Sequence, residues 1–179
     1  MIIGFAGYKG SGKDLAGSVL VNRFGFQKAA FADPIKDMIS EQFGIDRFIL
    51  DGSTCQSRSM RENPKMGAYG LTQRELMQKI GTFYTHNIAE TFWSDKLEKK
   101  YLSTFGEDFV VTDVRFPCEV EMIERNGGRV IKITREGYNG EDHISERALE
   151  NWKFDTVVNN HGSEDNFKRI IEDLMKVIV

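Results

Sequence analysis

The chain has 179 residues, of which 40% are hydrophobic and 28% charged, and it carries a formal net charge of −3. That length fits one domain with a substantial core, and the balance is that of a soluble globular protein rather than a general nucleic-acid coat or a polybasic membrane binder. No apolar run reaches the length of a membrane span, a signal peptide is not expected, and the two cysteines (Cys55, Cys118) and three histidines lack metal-type spacing, so the expected setting is the reduced cytoplasm.

In chain order, the apolar run 2–6 reads as a buried strand and runs straight into Gly7-Tyr8-Lys9-Gly10-Ser11-Gly12-Lys13-Asp14-Leu15. Strand, Gly-x4-Gly-Lys and a following helical pattern over 13–24 together make a phosphate loop. Its glycines let successive backbone N–H groups and a helix N-terminus face a polyphosphate, and Lys13 reaches the β- and γ-phosphates. The position after Lys13, commonly a hydroxyl residue on Mg²⁺, is Asp14. A second strand over 27–32 leads into Asp33-Pro34-Ile35-Lys36 and a helix over 34–43. In an open parallel sheet, ligands bind beyond the strand C-termini, which places Asp33 and Lys36 near Lys13; alternatively Asp33 caps the helix begun by Pro34.

Residues 51–70 are polar and aperiodic and bear Arg58, Arg61 and Lys65. They read as a long loop, either a mobile substrate flap or an inert insertion. A helix over 72–92 follows, opened by the capping-box pair Thr72 and Glu75. Leu76, Ile80, Phe83 and Tyr84 form its core side, and Glu75, Lys79, His86 and Glu90 its solvated side. A third stripe holds Arg74, Gln78, Gly81, Thr82 and Thr85, suited to a ligand with a phosphate and a base, or simply part of an amphipathic helix. Trp93 then either stacks on a base or joins the core. Ser94 is a candidate N-cap for a helix over 94–104.

The clearest buried strand, 108–113, ends in Thr112-Asp113-Val114-Arg115. A carboxylate there resembles the second metal-binding element of nucleotide-hydrolysing folds, so Asp14 and Asp113 are candidates for a shared Mg²⁺ shell. Pro117 suits the start of a helix over 117–126 and Gly127 its stop. A strand over 129–134 leads to Arg135, placed either to neutralise a transferring phosphoryl group or as a surface arginine, and to a glycine-bearing segment through 146 read as mobile. A helix over 145–151, a strand over 155–159 with Asn159 and Asn160 at its end, and a helix over 164–178 N-capped by Ser163 complete the chain. This alternation predicts an α/β fold: a three-layer, five-stranded, mostly parallel sheet with helices on both faces.

With these segments assembled, the chain resembles the bacteriophage-type deoxynucleoside monophosphate kinases of the P-loop nucleoside monophosphate kinase superfamily. The resemblance rests on residues 7–14, 31–36, 72–82 and 113–119, with His143–Glu146 and Asn159–Asn160 completing the set. It implies transfer of the ATP γ-phosphoryl group to a deoxynucleoside 5′-monophosphate. It also implies one kinase domain, with a core of about 1–44 and 105–179 and a helical insert of about 45–104 for the monophosphate. Carried over by position, Ser11, Lys13 and Asp14 serve ATP and Mg²⁺, and Arg74, Gln78, Gly81, Thr82, Trp93 and Asp113 serve the acceptor. The reading of the residues themselves adds Gly7, Lys9, Gly10, Gly12, Leu15, Arg135, Asn159 and Asn160 to the ATP site, and Asp33, Lys36 and Arg115 to the acceptor site. Mg²⁺ is the implied cofactor, and Lys13, Asp14, Arg74, Asp113 and Arg135 the catalytic set. Asp after the loop lysine is usual in the family, whereas Leu15 and Cys118 depart from common Thr and Asn.

No nucleic-acid or membrane partner is expected, the location is the cytoplasm (of the host, for a phage protein), and family precedent allows a homodimer. Two other readings stay open. One is a P-loop kinase of another small acceptor, such as dephospho-coenzyme A, with Asp33 as base. The other is a non-catalytic nucleotide-binding module.

Overall fold

A computed structural model describes residues 1–66, 68–104, 106–138 and 147–178. The chain divides into two compact units, Met1–Phe31 with Leu97–Val179, and Ala32–Lys96. Residues 32–44 and 97–104 thus fall on the other side of the division from that drawn by the resemblance.

The first unit is built on five strands: β1 (Ile2–Ala6), β2 (Gln27–Ala29), β3 (Phe109–Val114), β4 (Arg129–Thr134) and β5 (Thr156–Asn159). They lie in the order β2-β3-β1-β4-β5, and every pairing is parallel, as the alternating pattern predicts. Successive side chains of a strand face opposite sides of the sheet, so each face needs its own cover. On one side Ile2, Val111 and Val130 pack with Val120, Met122 and Ile123 of the helix Pro117–Arg125. On the other, Ile3, Phe5, Val110 and Ile131 meet the helices Lys13–Phe24 and Glu164–Ile178 through Leu20, Phe167 and Ile171.

In chain order, the helices that lie wholly among the described residues are α1 (Lys13–Phe24), α2 (Asp33–Phe43), α3 (Arg47–Asp51), α4 (Cys55–Arg61), α5 (Gln73–Asn87), α6 (Phe92–Ser103), α7 (Pro117–Arg125) and α8 (Glu164–Ile178). Among the described residues, no helix is long and apolar enough to cross a membrane.

The second strand is shorter than expected. Its ladder stops at Ala29, opposite Val111, and two residues on the Phe31 N–H turns to the Asp113 side chain (3.0 Å) instead of to a strand. Of the helix expected over 145–151, Arg147 is helical, and turns follow it, from Glu150 N to Arg147 O and Trp152 N to Leu149 O. Residues 145 and 146 lie outside the described residues, as do His143–Glu146 as a whole and most of the segment read as mobile.

The second unit holds α2 to α5 around Ile39, Leu50 and Leu76. The segment read as a loop over 51–70 is largely helical. Asp46 caps α3, its side chain accepting the Phe48 N–H. Thr54 and Ser57 close a reciprocal capping box on α4. The helix expected over 72–92 begins as predicted, with Thr72 and Glu75 capping each other, but stops at Asn87. A new helix starts at Phe92, so Ser94 lies inside it. Its hydroxyl donates to Thr91 O rather than capping a terminus.

Candidate active site

The phosphate loop joins the C-terminal end of β1 to the first turn of α1. Gly7, Gly10 and Gly12 have φ of 142°, 81° and 113°, a backbone region that disfavours side chains. A Cβ on Gly12 would stand 2.5 Å from Asn160 Nδ2. That amide is the loop's far anchor: buried Asn160, just beyond β5, donates from Nδ2 to Ser11 O (2.7 Å). Lys13 is 8% exposed, and its ammonium curls over the loop to donate to Gly7 O (2.5 Å) and Tyr8 O (2.8 Å). Among the described residues, Ser11 Oγ is buried without a hydrogen-bond partner, an uncompensated polar atom at the centre of the loop. A polyphosphate fits this loop: the turn is preformed, a cation sits inside it, and an orphan hydroxyl awaits an acceptor. Lys9 is exposed, and Leu15 packs partly into the core beneath α1.

Asp14 points outward, with its side chain 83% exposed, and accepts from Thr112 Oγ1 (2.8 Å) and Lys28 Nζ (3.4 Å). The approach of α1 to β3 that permits this bond needs Gly17, whose Cβ would meet Thr112 Cγ2 at 2.4 Å. Asp113, the next residue of β3, accepts the Phe31 N–H. Among the described residues, no cluster of three or more His, Cys, Asp or Glu side chains is disposed to hold a metal. A hard divalent cation bound here would take most of its ligands from phosphate oxygens and water, with carboxylates in support.

Beyond the strand ends of the same unit lies a cleft of about 400 Å³, counted with its open mouth, to which Gly7, Tyr8, Arg115, Lys132, Thr134 and Glu150 contribute. Tyr8 Oη donates to Glu150 Oε1 (3.1 Å), and Lys132 Nζ sits 5.4 Å from the centre of the Phe154 ring. Glu119 holds the turn that presents Arg115: buried, its Oε2 accepts the N–H groups of Arg115 (2.6 Å) and Phe116 (2.9 Å). Burial first, and then the negative charge of Asp113, push the Glu119 carboxyl up to about 8, although both backbone bonds pull it down. Arg135 lies over the Tyr138 ring (4.9 Å to its centre), and its Nη1 donates to Gly10 O (3.4 Å). Asn159 is exposed.

In the second unit, Asp33 opens α2 and pairs with Lys36 (3.5 Å) and Arg47 (3.1 Å), while Lys36 also reaches Asp51 (3.0 Å). Arg47 extends the network to Asp37 and Asp51. Arg74 donates from Nε to Glu62 Oε1 (2.5 Å). Gln78 and Thr82 are exposed on α5 and, with Lys79 and Phe83, line a shallow groove. One expectation for this helix is corrected: Phe83, read as core, is 57% exposed, because Tyr84 takes the inward place against Phe92 and Trp93. Of the two readings of Trp93, its surroundings fit the core one: it is 8% exposed, and its indole N–H donates to Gly81 O (3.1 Å), supporting α5 from behind. Gly81 meets Ile35 of α2, not open space: a Cβ there would lie 3.4 Å from Ile35 Cδ1.

Reading residue types missed Thr112, Lys28, Glu119, Tyr138 and Glu62, all of which act on the predicted residues, and Glu150, which holds Tyr8. Only Glu119 left a local trace, as the third residue after Phe116 before a helix begun by Pro117, where a capping carboxylate belongs.

A parallel sheet in this order, with a lysine-bearing glycine loop between its central strand and α1, defines a P-loop kinase. In fold the chain is similar to a dephospho-CoA kinase from Campylobacter jejuni, with a TM-score of 0.54 over 99% of this chain and 96% of that one. At 17% identity this likeness concerns the fold alone. The chain belongs to the deoxynucleotide monophosphate kinase family, whose model matches residues 62–171. A putative deoxynucleotide monophosphate kinase of Acanthamoeba polyphaga mimivirus is 32% identical over 190 residues, 96% of this chain and 94% of that protein. The deoxynucleotide monophosphate kinase of Escherichia phage RB69 is 33% identical over 108 residues, 58% of this chain and 44% of that protein. The family match takes in 72–82 and 113–119 and leaves the phosphate loop outside it.

Proposed function

We propose that this chain transfers the γ-phosphoryl group of ATP to a deoxynucleoside 5′-monophosphate, yielding the diphosphate and ADP, in the cytoplasm. The observation that carries the donor half is the phosphate loop with Lys13 buried inside it and Ser11 Oγ lacking a partner. Family membership carries the acceptor half.

An acceptor phosphate is already largely ionised at neutral pH, so the step needs no strong base, only alignment and charge neutralisation. An acceptor oxygen forms the new bond to the γ-phosphorus as the bond to the β,γ-bridging oxygen breaks, and ADP leaves with that electron pair. Lys13 exchanges its two carbonyl partners for phosphate oxygens, and the loop N–H groups of Gly10 to Asp14 hold the β-phosphate. Arg135, already bonded to Gly10 O, supports the transferring group. Mg²⁺, when bound, neutralises phosphate charge, and Asp14 and Asp113 are the carboxylates we assign to its shell, directly or through water. Arg74 is assigned to the acceptor phosphate, Gln78 and Thr82 to the base, and Asp33, Lys36 and Arg115 to the surrounding polar contacts. Trp93 and Gly81 fix α5 from behind. Asn160 holds the loop, and Asn159 is assigned to the adenine side.

A panel of acceptors run with ATP and Mg²⁺ tests this reading by coupled ADP release. Deoxynucleoside monophosphates should stimulate ADP formation well above the rates with ribonucleoside monophosphates or alcohol acceptors such as dephospho-coenzyme A. ATP binding with no stimulation by any monophosphate would leave only a nucleotide-binding module.

A further inference from the structure

Arg61, at the end of α4, has no part in the proposed reaction, yet the fold is shaped around it. Its Nη1 donates to Leu50 O (3.4 Å), and its guanidinium lies where a side chain on residue 52 would be. A Cβ on Gly52 would stand 2.5, 2.7 and 3.0 Å from Arg61 Nη1, Cζ and Nη2, and Gly52 holds φ 58°. The side chain is 15% exposed, and its Nε is buried with no hydrogen-bond partner among the described residues. The nearest anionic atom is Glu62 Oε1, at 3.6 Å, too long for a hydrogen bond. That same oxygen takes the 2.5 Å bond from Arg74 Nε.

One carboxylate oxygen therefore stands between two guanidiniums. Burial first, and then the positive charge of Arg74, hold Arg61 below its ordinary value, with Arg58 adding to the repulsion and Glu62 opposing it. The set has three guanidiniums and one carboxylate, so it lacks negative charge, and its most buried donor is unused. A phosphate monoester brings close to two charges at neutral pH and three acceptor oxygens, and guanidinium forks match it in pairs. The exposed side chains of Gln78 and Thr82 continue from Arg74 along the same face of α5 at i+4 and i+8, where the remainder of a nucleotide would run.

Resting on the acceptor reading above, we propose that Arg61 joins Arg74 in a clamp for the acceptor's phosphate, and that Glu62 occupies this clamp as an internal stand-in until the acceptor displaces it. Glu62 is then a competitor built into the chain, which keeps the two guanidiniums from collapsing onto other anions and sets acceptor affinity below its ceiling.

Two substitutions with opposite expected signs test this. In Glu62→Gln the stand-in loses its charge, so KM for the deoxynucleoside monophosphate should fall about two- to fivefold, the range of a partly exposed ion pair. In Arg61→Lys the charge stays but the fork is lost, and KM should rise about tenfold or more with KM for ATP unchanged. Thermal melts of both variants report whether the second unit stays folded. An equilibrium titration with inorganic phosphate provides a readout independent of turnover, with tighter binding expected for Glu62→Gln and weaker for Arg61→Lys. Unchanged or weaker binding in Glu62→Gln, or wild-type binding in folded Arg61→Lys, overturns the clamp. If no monophosphate is phosphorylated by the unaltered protein, the acceptor reading fails, and the phosphate titration still decides the clamp.

Discussion

Thr112 Oγ1 donates to Asp14 Oδ1 across 2.8 Å, tying the carboxylate that follows the loop lysine to the end of β3. This bond aims a highly exposed Asp14 side chain that otherwise, among the described residues, has only the Lys28 ammonium, at 3.4 Å, to orient it. Thr112→Val removes the donor at nearly constant shape. Stability should change by about 1 kcal/mol, while the Mg²⁺ concentration for half-maximal rate should rise several-fold with KM for the acceptor unaltered. Superimposable Mg²⁺ activation curves for variant and wild type would refute a positioned Asp14.

Lys13→Met keeps the bulk of a buried side chain and deletes its charge. Turnover should drop by about 10²–10³-fold or more, with a melting temperature within a few degrees of wild type. Coupled ADP release and a thermal melt check both halves, and near-normal turnover would refute the donor site.

Gly12→Ala asks a side chain to adopt φ 113° and to stand 2.5 Å from Asn160 Nδ2. Left-handed backbone alone costs an L-residue about 1–2 kcal/mol, and the displaced Asn160 releases Ser11 O. Urea unfolding should show a loss of about 1–3 kcal/mol, together with at least tenfold weaker ATP binding by calorimetry. Wild-type affinity in this variant would mean the loop is not held as described.

Glu98 provides a pH-dependent term. Its carboxyl accepts from Arg125 Nε (2.8 Å), Arg125 Nη2 (2.6 Å) and Asn126 Nδ2 (2.6 Å), and the Arg125 bonds foremost draw it down to about 2. Because the folded value lies below the unfolded one of 4.5, the stabilisation is complete above about pH 4.5 and disappears as pH falls toward 2. Glu98→Gln should cost about 1 kcal/mol or less at pH 6.5, as a pair partly screened by water, and should flatten the acid limb. Urea midpoints at pH 6.5 and pH 3 measure the difference, and parallel acid limbs would exclude the effect.

What the residues announced in advance was whatever is local. The phosphate loop needs only glycines at positive φ and a lysine at fixed spacing, and the Thr72–Glu75 and Ser163 caps lie within three residues of their partners. Parallel pairing followed from strands separated by helices. The segment 51–70 misled because its helices are held by side-chain caps at Asp46, Thr54 and Ser57 rather than by apolar periodicity. Phe83 lost the inward place expected for it because Tyr84, Phe92 and Trp93 fill the position behind α5, a packing contest that spacing does not decide. The partners of the predicted residues, such as Thr112 for Asp14 or Glu62 for Arg74, are ordinary residue types made specific by contacts 98 and 12 positions away.

Ser11 and Asn160 stand 149 positions apart and share one bond. The glycine loop that follows β1 is therefore held from just beyond β5, at the edge of the sheet. Cutting the chain before Asn160 would leave the loop's own residues in place and its carbonyl unanchored, so the donor pocket belongs to the assembled sheet and not to the loop alone.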